Sequence, residues 1–226
     1  MSKIRKMFFI DGYNLYHSID RLSEIDVQFK NCKWLNLLEL CCRYVDTAHD
    51  IFAGIKYFTA LSWKPESRVR QQTYINALLF QCKTEIDVMY GKFKKRSKKC
   101  PLCQQDFIYH EEKLTDVNLA ISLFENAYKN TFDEAIIISA DSDLIPPISA
   151  IKSIFADKVI AILPPCDNPA NDLINNAHKH YKMKRKTLLN SQLPNTCNQF
   201  IRPNKWDSAN YKFDNKLKKF IFIQPQ

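Results

Sequence analysis

Five short runs in this chain are apolar on both faces: Met7–Ile10, Ile51–Phe58, Ile86–Tyr90, Ala135–Ser139 and Val159–Leu163. They are rich in Ile, Val and Phe, the pattern of strands in a parallel sheet covered on both sides. Helix-like stretches separate them. Leu35, Leu38, Cys42 and Val45 mark one face of the first long helix. Val69, Thr73, Asn76 or Ala77, and Phe80 track a second; Val117, Ala120, Ile121, Phe124 and Tyr128 track a third. Leu144 to Ile154 suits a fourth, in which Pro146 and Pro147 are tolerated only in the first turn. Strand and helix in alternation predict a three-layer α/β domain with a central, mainly parallel sheet. In such sheets ligands bind beyond the carboxyl ends of the strands.

Carboxylates fall at those ends. Asp11 closes the first strand, Asp141 and Asp143 follow the fourth, and Asp116 opens the third helix behind Glu111-Glu112-Lys113-Leu114-Thr115. Each has a plain structural alternative. Asp11 beside Gly12 fits a turn, one of Asp141 and Asp143 fits a helix cap, and Thr115 or Asp116 caps the third helix. Taken as a set they point to chemistry. Two acids spaced i, i+2 beside a strand end suit Mg²⁺, which takes hard oxygen ligands and keeps several waters. Asn14 lies one helical turn from Asp11 and can aim its amide at the same point. His17 lies a turn further on and reads as a surface or core residue more than as a proton shuttle.

An acidic cluster is unusual on a chain of formal net charge +9. Acids that hold a metal on a surface that holds a polyanion are what metal-dependent phosphodiester cleavage requires. With only 3 glycines, at 12, 54 and 91, the chain offers neither a dinucleotide fingerprint nor a P-loop. The apolar stretch behind the basic Met1–Lys6 runs for only about four residues, so it is read as a strand and not as a signal peptide. No run is long enough to span a bilayer. A cytoplasmic location is therefore expected, with the 8 cysteines reduced.

Three segments together carry a resemblance: Phe9-Ile10-Asp11-Gly12-Tyr13-Asn14-Leu15, Glu112-Lys113-Leu114-Thr115-Asp116-Val117 and Ile138-Ser139-Ala140-Asp141-Ser142-Asp143-Leu144. In order and spacing, the chain from about residue 5 to 180 resembles the NYN family of PIN-like (Rossmannoid) nucleases. The resemblance implies Mg²⁺ or Mn²⁺ held by Asp11, Asp116, Asp141 and Asp143, with Asn14 beside them in the catalytic set. It implies hydrolysis of phosphodiesters, mostly in RNA, by an endoribonuclease. Lys113 would contact phosphate, and Ser139 and Ser142 would join it in binding substrate. Ala140 stands where the family often has Gly, and Leu144 where it often has Phe; neither change removes a ligand. The alternative is a non-catalytic RNA- or DNA-binding adaptor that keeps the fold. A phosphatase of the phospho-aspartate type is disfavoured, because Tyr13 stands where that chemistry needs a second Asp.

The nuclease domain is expected over residues 1–182, with a basic insertion at about 92–109 and a basic C-terminal extension over 183–226. In the insertion, Lys92, Lys94, Lys95 and Arg96 lie among Tyr90, Phe93, Phe107 and Tyr109. That mixture suits phosphates and stacked bases, although a charge run is also the ordinary composition of a solvated loop. Cys100-Pro101-Leu102-Cys103 reads as half of a structural zinc knuckle, to be completed by His110, Cys82 or Cys166. The extension either packs on the domain through Leu188, Leu189 and Trp206 or offers a second strip for nucleic acid. A homodimer is allowed by the sequence but not required.

Overall fold

A computed structural model describes residues 2–167 and 170–225. The chain begins with β1 (Ile4–Asp11), α1 (Gly12–Ile25), a 3₁₀ stretch (Val27–Trp34) and α2 (Leu37–Cys42). It continues with β2 (Asp50–Thr59), α3 (Pro65–Cys82), β3 (Ile86–Tyr90), β4 (Lys92–Lys99), β5 (Asp106–Lys113) and α4 (Thr115–Tyr128). Next come β6 (Glu134–Ile138), α5 (Ile145–Ile154), β7 (Val159–Ile162), α6 (Asn171–Asn176) and β8 (Lys179–His180).

Six of these strands form one sheet in the order β3-β2-β1-β6-β7-β8. Every neighbouring pair is parallel. The five apolar runs are its first five strands, displaced by a residue or a few at their ends. Alternate side chains serve the two faces. Phe8, Ile10, Ile55, Ile136 and Ile138 join a core with α1, α2 and α3. Met7, Phe9, Ala135, Ile137 and Ile160 join a second core with α4, α5 and α6. Both faces are covered, which is why the strands carry no polar stripe.

The helices depart from the expectation in detail. The helix marked by Leu35 and Val45 is the short α2, preceded by the 3₁₀ stretch and followed by turns. On α3 the buried residues are Tyr74, Ile75, Ala77, Leu78 and Cys82, while Val69 and Phe80 are exposed. On α4 the buried residues include Leu119, Leu123 and Ala127, and the Val117, Ile121, Phe124 and Tyr128 stripe faces outward. The proline pair does sit in the first turn of α5.

The basic insertion is a two-stranded antiparallel ribbon, with Lys92 opposite Lys113 and Lys99 opposite Asp106. Two of its cross-strand pairs are opposite charges, Lys94 with Glu111 and Lys99 with Asp106. The segment after residue 182 packs into the first core through Met183, Leu188, Leu193, Cys197 and Trp206. The Trp34 indole donates to the Pro194 carbonyl at 2.8 Å, and the Leu193 N–H donates to the Trp34 carbonyl at 3.0 Å.

At the amino end of the sheet, opposite charges meet. Lys6 pairs with Asp50 at 2.7 Å, both buried. Buried Glu134 takes Lys179 at 2.6 Å and the Tyr181 hydroxyl at 2.7 Å. Removing one partner of such a pair leaves a buried charge uncompensated. Asp50→Ala is expected to destabilise the protein by about 3 kcal/mol, read as a lower urea midpoint with an unchanged m-value.

Candidate active site

β1 lies between β2 and β6, so the chain leaves it to opposite sides and the strand order reverses there. A crevice opens at the carboxyl edge of such a pair. Asp11 is the last residue of β1 and also the N-cap of α1, its Oδ1 accepting the Asn14 N–H at 2.9 Å. Gly12 is required beside it. A Cβ there would lie 2.6 Å from the Tyr57 ring and 2.7 Å from the Phe58 carbonyl oxygen.

Ser139 follows β6 and is fully buried. Its hydroxyl donates to Asp11 Oδ2 at 3.0 Å and accepts the Asp141 N–H at 3.1 Å. The Ala140 N–H donates to Asn14 Oδ1 at 3.2 Å. These bonds tie the end of β1, the start of α1 and the loop after β6 into one unit. Ser139, which the resemblance places at the substrate, is buried here and bonds to Asp11 and the Asp141 backbone. Asn14 likewise holds the loop through its carbonyl oxygen, while lining the pocket.

Asp116 enters from the first turn of α4. That turn is set by Leu114, whose φ is +81°, and by Glu112, whose carboxylate accepts the Thr115 N–H at 3.3 Å and the Thr115 hydroxyl. Gly91 packs against this turn. A Cβ there would lie 2.5 Å from Thr115 Oγ1 and 2.6 Å from Glu112 Oε1.

Asp11, Asp116 and Asp141 each bring one carboxylate oxygen to within 4.8 Å of the others. Asp143 lies outside this group, exposed at the rim. Its N–H caps Asp141 Oδ1 at 3.0 Å, leaving the second Asp141 oxygen for a ligand. The donor set is hard oxygen throughout, so it fits Mg²⁺ or Mn²⁺. Burial, then the fields of Asp116 and Asp141, push the Asp11 carboxyl up to about 6 despite the bonds from Asn14 and Ser139. Asp116 is also raised, first by burial and then by Asp141, Glu112 and Asp143.

The acid pocket has a volume of about 320 Å³, and its walls include Glu112, His17 and Arg21. Asn14, His17 and Arg21 are spaced at one and two turns along α1, which is the signal that would have found Arg21. Burial holds the His17 imidazole below its ordinary value. Lys113 is not in this pocket. Side chains alternate along β5, so Glu112 faces the acids while Lys113 turns to Glu111, at 2.6 Å.

Tyr13 and His17 also line a neighbouring cavity of about 350 Å³, whose walls include Tyr16, Tyr57, Trp63 and Phe93. On the ribbon, Lys92 and Lys95 line a further depression, Arg96 lies 3.6 Å from Glu111, and Lys94 is exposed. Ser142 is exposed behind Asp141.

At the ribbon tip, the Cys103 and Leu102 N–H groups hold the half-buried Cys100 thiol below its ordinary value. Among the described residues, no third His, Cys, Asp or Glu joins Cys100 and Cys103. Cys82 and Cys166 are buried in the first core, and His110 stacks on Trp63. The knuckle therefore remains a half-set of two thiols within the chain.

The acidity of Asp11 has a consequence for stability. Its carboxyl ionises near 3.8 when unfolded and about 6 when folded. Between those values the folded state holds the extra proton, so stability falls as pH rises through that window and stays lower above it. In chelator at pH 7, Asp11→Asn is expected to be more stable than wild type by on the order of 2 kcal/mol. At pH 4 the difference should nearly vanish, as thermal melts at both values would show.

Comparison with known proteins bears on the family and the fold. The NYN domain profile matches residues 5–184. A 6-hydroxy-3-succinoylpyridine 3-monooxygenase, HspA, of Pseudomonas putida is 26% identical over 242 aligned positions, covering 90% of this chain and 75% of the relative. A crystal structure of a protein of unknown function from Vibrio parahaemolyticus RIMD 2210633 superposes with a TM-score of 0.51 at 16% identity. That match covers 84% of this chain and 97% of the other, and it speaks for the fold alone. The chain belongs to the NYN domain family and has its PIN-like fold.

Proposed function

We propose that this protein is a divalent-metal-dependent nuclease that hydrolyses phosphodiester bonds, acting on RNA in preference to DNA. The observation that carries the reading is the convergence of Asp11, Asp116 and Asp141 at the carboxyl edge of a basic chain. Mg²⁺ or Mn²⁺ held by the three acids would activate water, offset phosphate charge and stabilise the leaving oxygen. The chain's own residues do the rest. Ser139 and Asn14 fix the two loops that carry the acids. Glu112 sets the turn from which Asp116 projects. Asp143 adds negative charge at the rim. Arg21, on the same wall as the acids, is placed to take a phosphate oxygen of the substrate, the role first assigned to Lys113.

Cleavage of labelled single-stranded and structured RNA and DNA, in Mn²⁺, Mg²⁺ or EDTA, tests this. Wild type should cut RNA only with metal, and Asp141→Asn should lose on the order of 10²-fold or more of that rate. Cutting that survives EDTA or the substitution sinks the reading. Binding without cutting in Mn²⁺ assigns the fold an adaptor role instead. In the same assay, Arg21→Ala should lower kcat/KM roughly tenfold, the cost of one charge-assisted hydrogen bond. Lys113→Ala should stay within about twofold, since its partner is a surface carboxylate.

A second reading comes from the Pseudomonas relative, whose name describes an oxygenase acting on a substituted pyridine. The aromatic cavity beside the acids favours it, because a heteroaromatic ring would stack there. Dioxygen uptake that depends on a pyridine substrate and a reductant, with RNA left intact, decides for this alternative.

A further inference from the structure

Three depressions adjoin across the carboxyl edge of the sheet. The acid pocket shares Tyr13 and His17 with the aromatic cavity. The aromatic cavity in turn shares Ser62, Trp63, Phe93 and His110 with a third depression of about 550 Å³, which also includes Arg68, Lys92 and Lys95. Acids, rings and cations therefore follow one another in that order.

Trp63 stands at the second junction. Its indole is 48% exposed, so the core does not need it. It is nonetheless held in place: the His110 ring stacks on it at 4.0 Å and 8°, and Lys64 Nζ lies 5.3 Å over it. A large ring that is already oriented costs little to order when another ring joins it. Tyr13 lies at the first junction, 42% exposed, 4.3 Å from His17 and 6.5 Å from Phe93. Arg70 lies on the cavity wall, with its guanidinium donating to Ser67 Oγ at 2.9 Å. Planar faces with cations between them are what an unpaired base and its flanking phosphates require. A paired base keeps its faces against its neighbours and cannot enter such a cavity.

We propose that the aromatic cavity is a subsite for one unpaired nucleobase of a single-stranded nucleic acid, the strand running from the acid pocket past Trp63 onto Lys92 and Lys95 of the ribbon. The proposal rests on the nuclease reading and adds to it the form of the substrate. A free heteroaromatic acid would use the rings but would not need the cations beyond Trp63.

The test is binding of a fluorescein-labelled single-stranded RNA decamer by the full chain in EDTA, where the strand stays intact, read by anisotropy. Trp63→Ala should raise Kd about tenfold or more, the worth of one stacked base. Trp63→Phe should restore most of the loss, and the duplex form should bind wild type and Trp63→Ala alike. A decamer with one abasic residue at the contacted position should bind wild type more weakly and show no further loss with Trp63→Ala. The proposal is overturned if Trp63→Ala binds within twofold of wild type, or if the abasic and Ala penalties simply add. Its failure is distinct from failure of the nuclease reading. Metal-dependent cutting with Trp63 inert removes the subsite alone; intact RNA in Mn²⁺ with the Trp63 effect present removes the nuclease alone.

Discussion

Like charges held together against their repulsion govern this structure. Two ionised carboxylates about 4 Å apart repel by roughly 4 kcal/mol at the effective dielectric of a protein surface. Asp11, Asp116 and Asp141 come within 4.8 Å of one another. Beyond the hydrogen bonds that Asp11 already accepts, a proton or a cation relieves such a set. Burial first, and the neighbouring acids after it, raise the Asp11 carboxyl to about 6, which moves it toward the first. The second, a divalent cation, is what a hard oxygen triad is suited to bind. The rigid framework follows from the same constraint. Ser139 bridges Asp11 to the Asp141 backbone, and Asn14 receives the Ala140 N–H. Without those ties the loops would relax apart and dissipate the field.

The two ends of the sheet show contrary electrostatics. At the amino end, Lys6 meets Asp50 and Glu134 meets Lys179, each acid answered by a base. At the carboxyl end no Lys or Arg is paired to Asp11, Asp116 or Asp141 among the described ion pairs, and Arg21 stands on the pocket wall. An end of paired charges and an end of clustered acids are thus separated along the same strands. Substitutions at the first should move melting temperature, and at the second chemistry, with stability moving in the opposite direction.

The strands were legible because burial on both faces leaves an uninterrupted apolar run, and the acids because they sit at the ends of such runs. The buried faces of α3 and α4 were not. The apolar residues Val117, Ile121, Phe124 and Tyr128 fall at helical spacing, yet Ser122, Asn126 and Ala127 lie on the covered face. Periodicity reports a stripe without saying which stripe is covered, and small or hydrogen-bonded polar residues fit a close helix–sheet contact. The ribbon was hidden because lysine is depleted in strands. Its cross-strand partners, such as Lys94 and Glu111, are brought opposite only by the fold. Trp63 and His110 are far apart in the chain, so no local pattern could join them.

The two departures from the family pattern each have a defined place in the fold. Ala140 gives its N–H to Asn14 and packs its side chain against the second core, in which Leu144 is buried. More is asked of the ribbon. A two-stranded ribbon with no covered face is marginal on its own. Its root is fastened by the Gly91 N–H donating to the Thr59 carbonyl at 2.8 Å and by His110 stacked on Trp63. The latter contact is also a wall of the proposed base subsite. A ring entering the cavity therefore packs on the same pair that anchors the ribbon, so order in the ribbon and occupancy of the subsite reinforce one another. The basic strand β4 starts beside Gly91, its partner β5 carries Glu112 and runs on to Thr115, and Gly91, Glu112 and Thr115 pack together at the turn carrying Asp116. One element thus links the cations that would hold a strand to the acid that completes the triad.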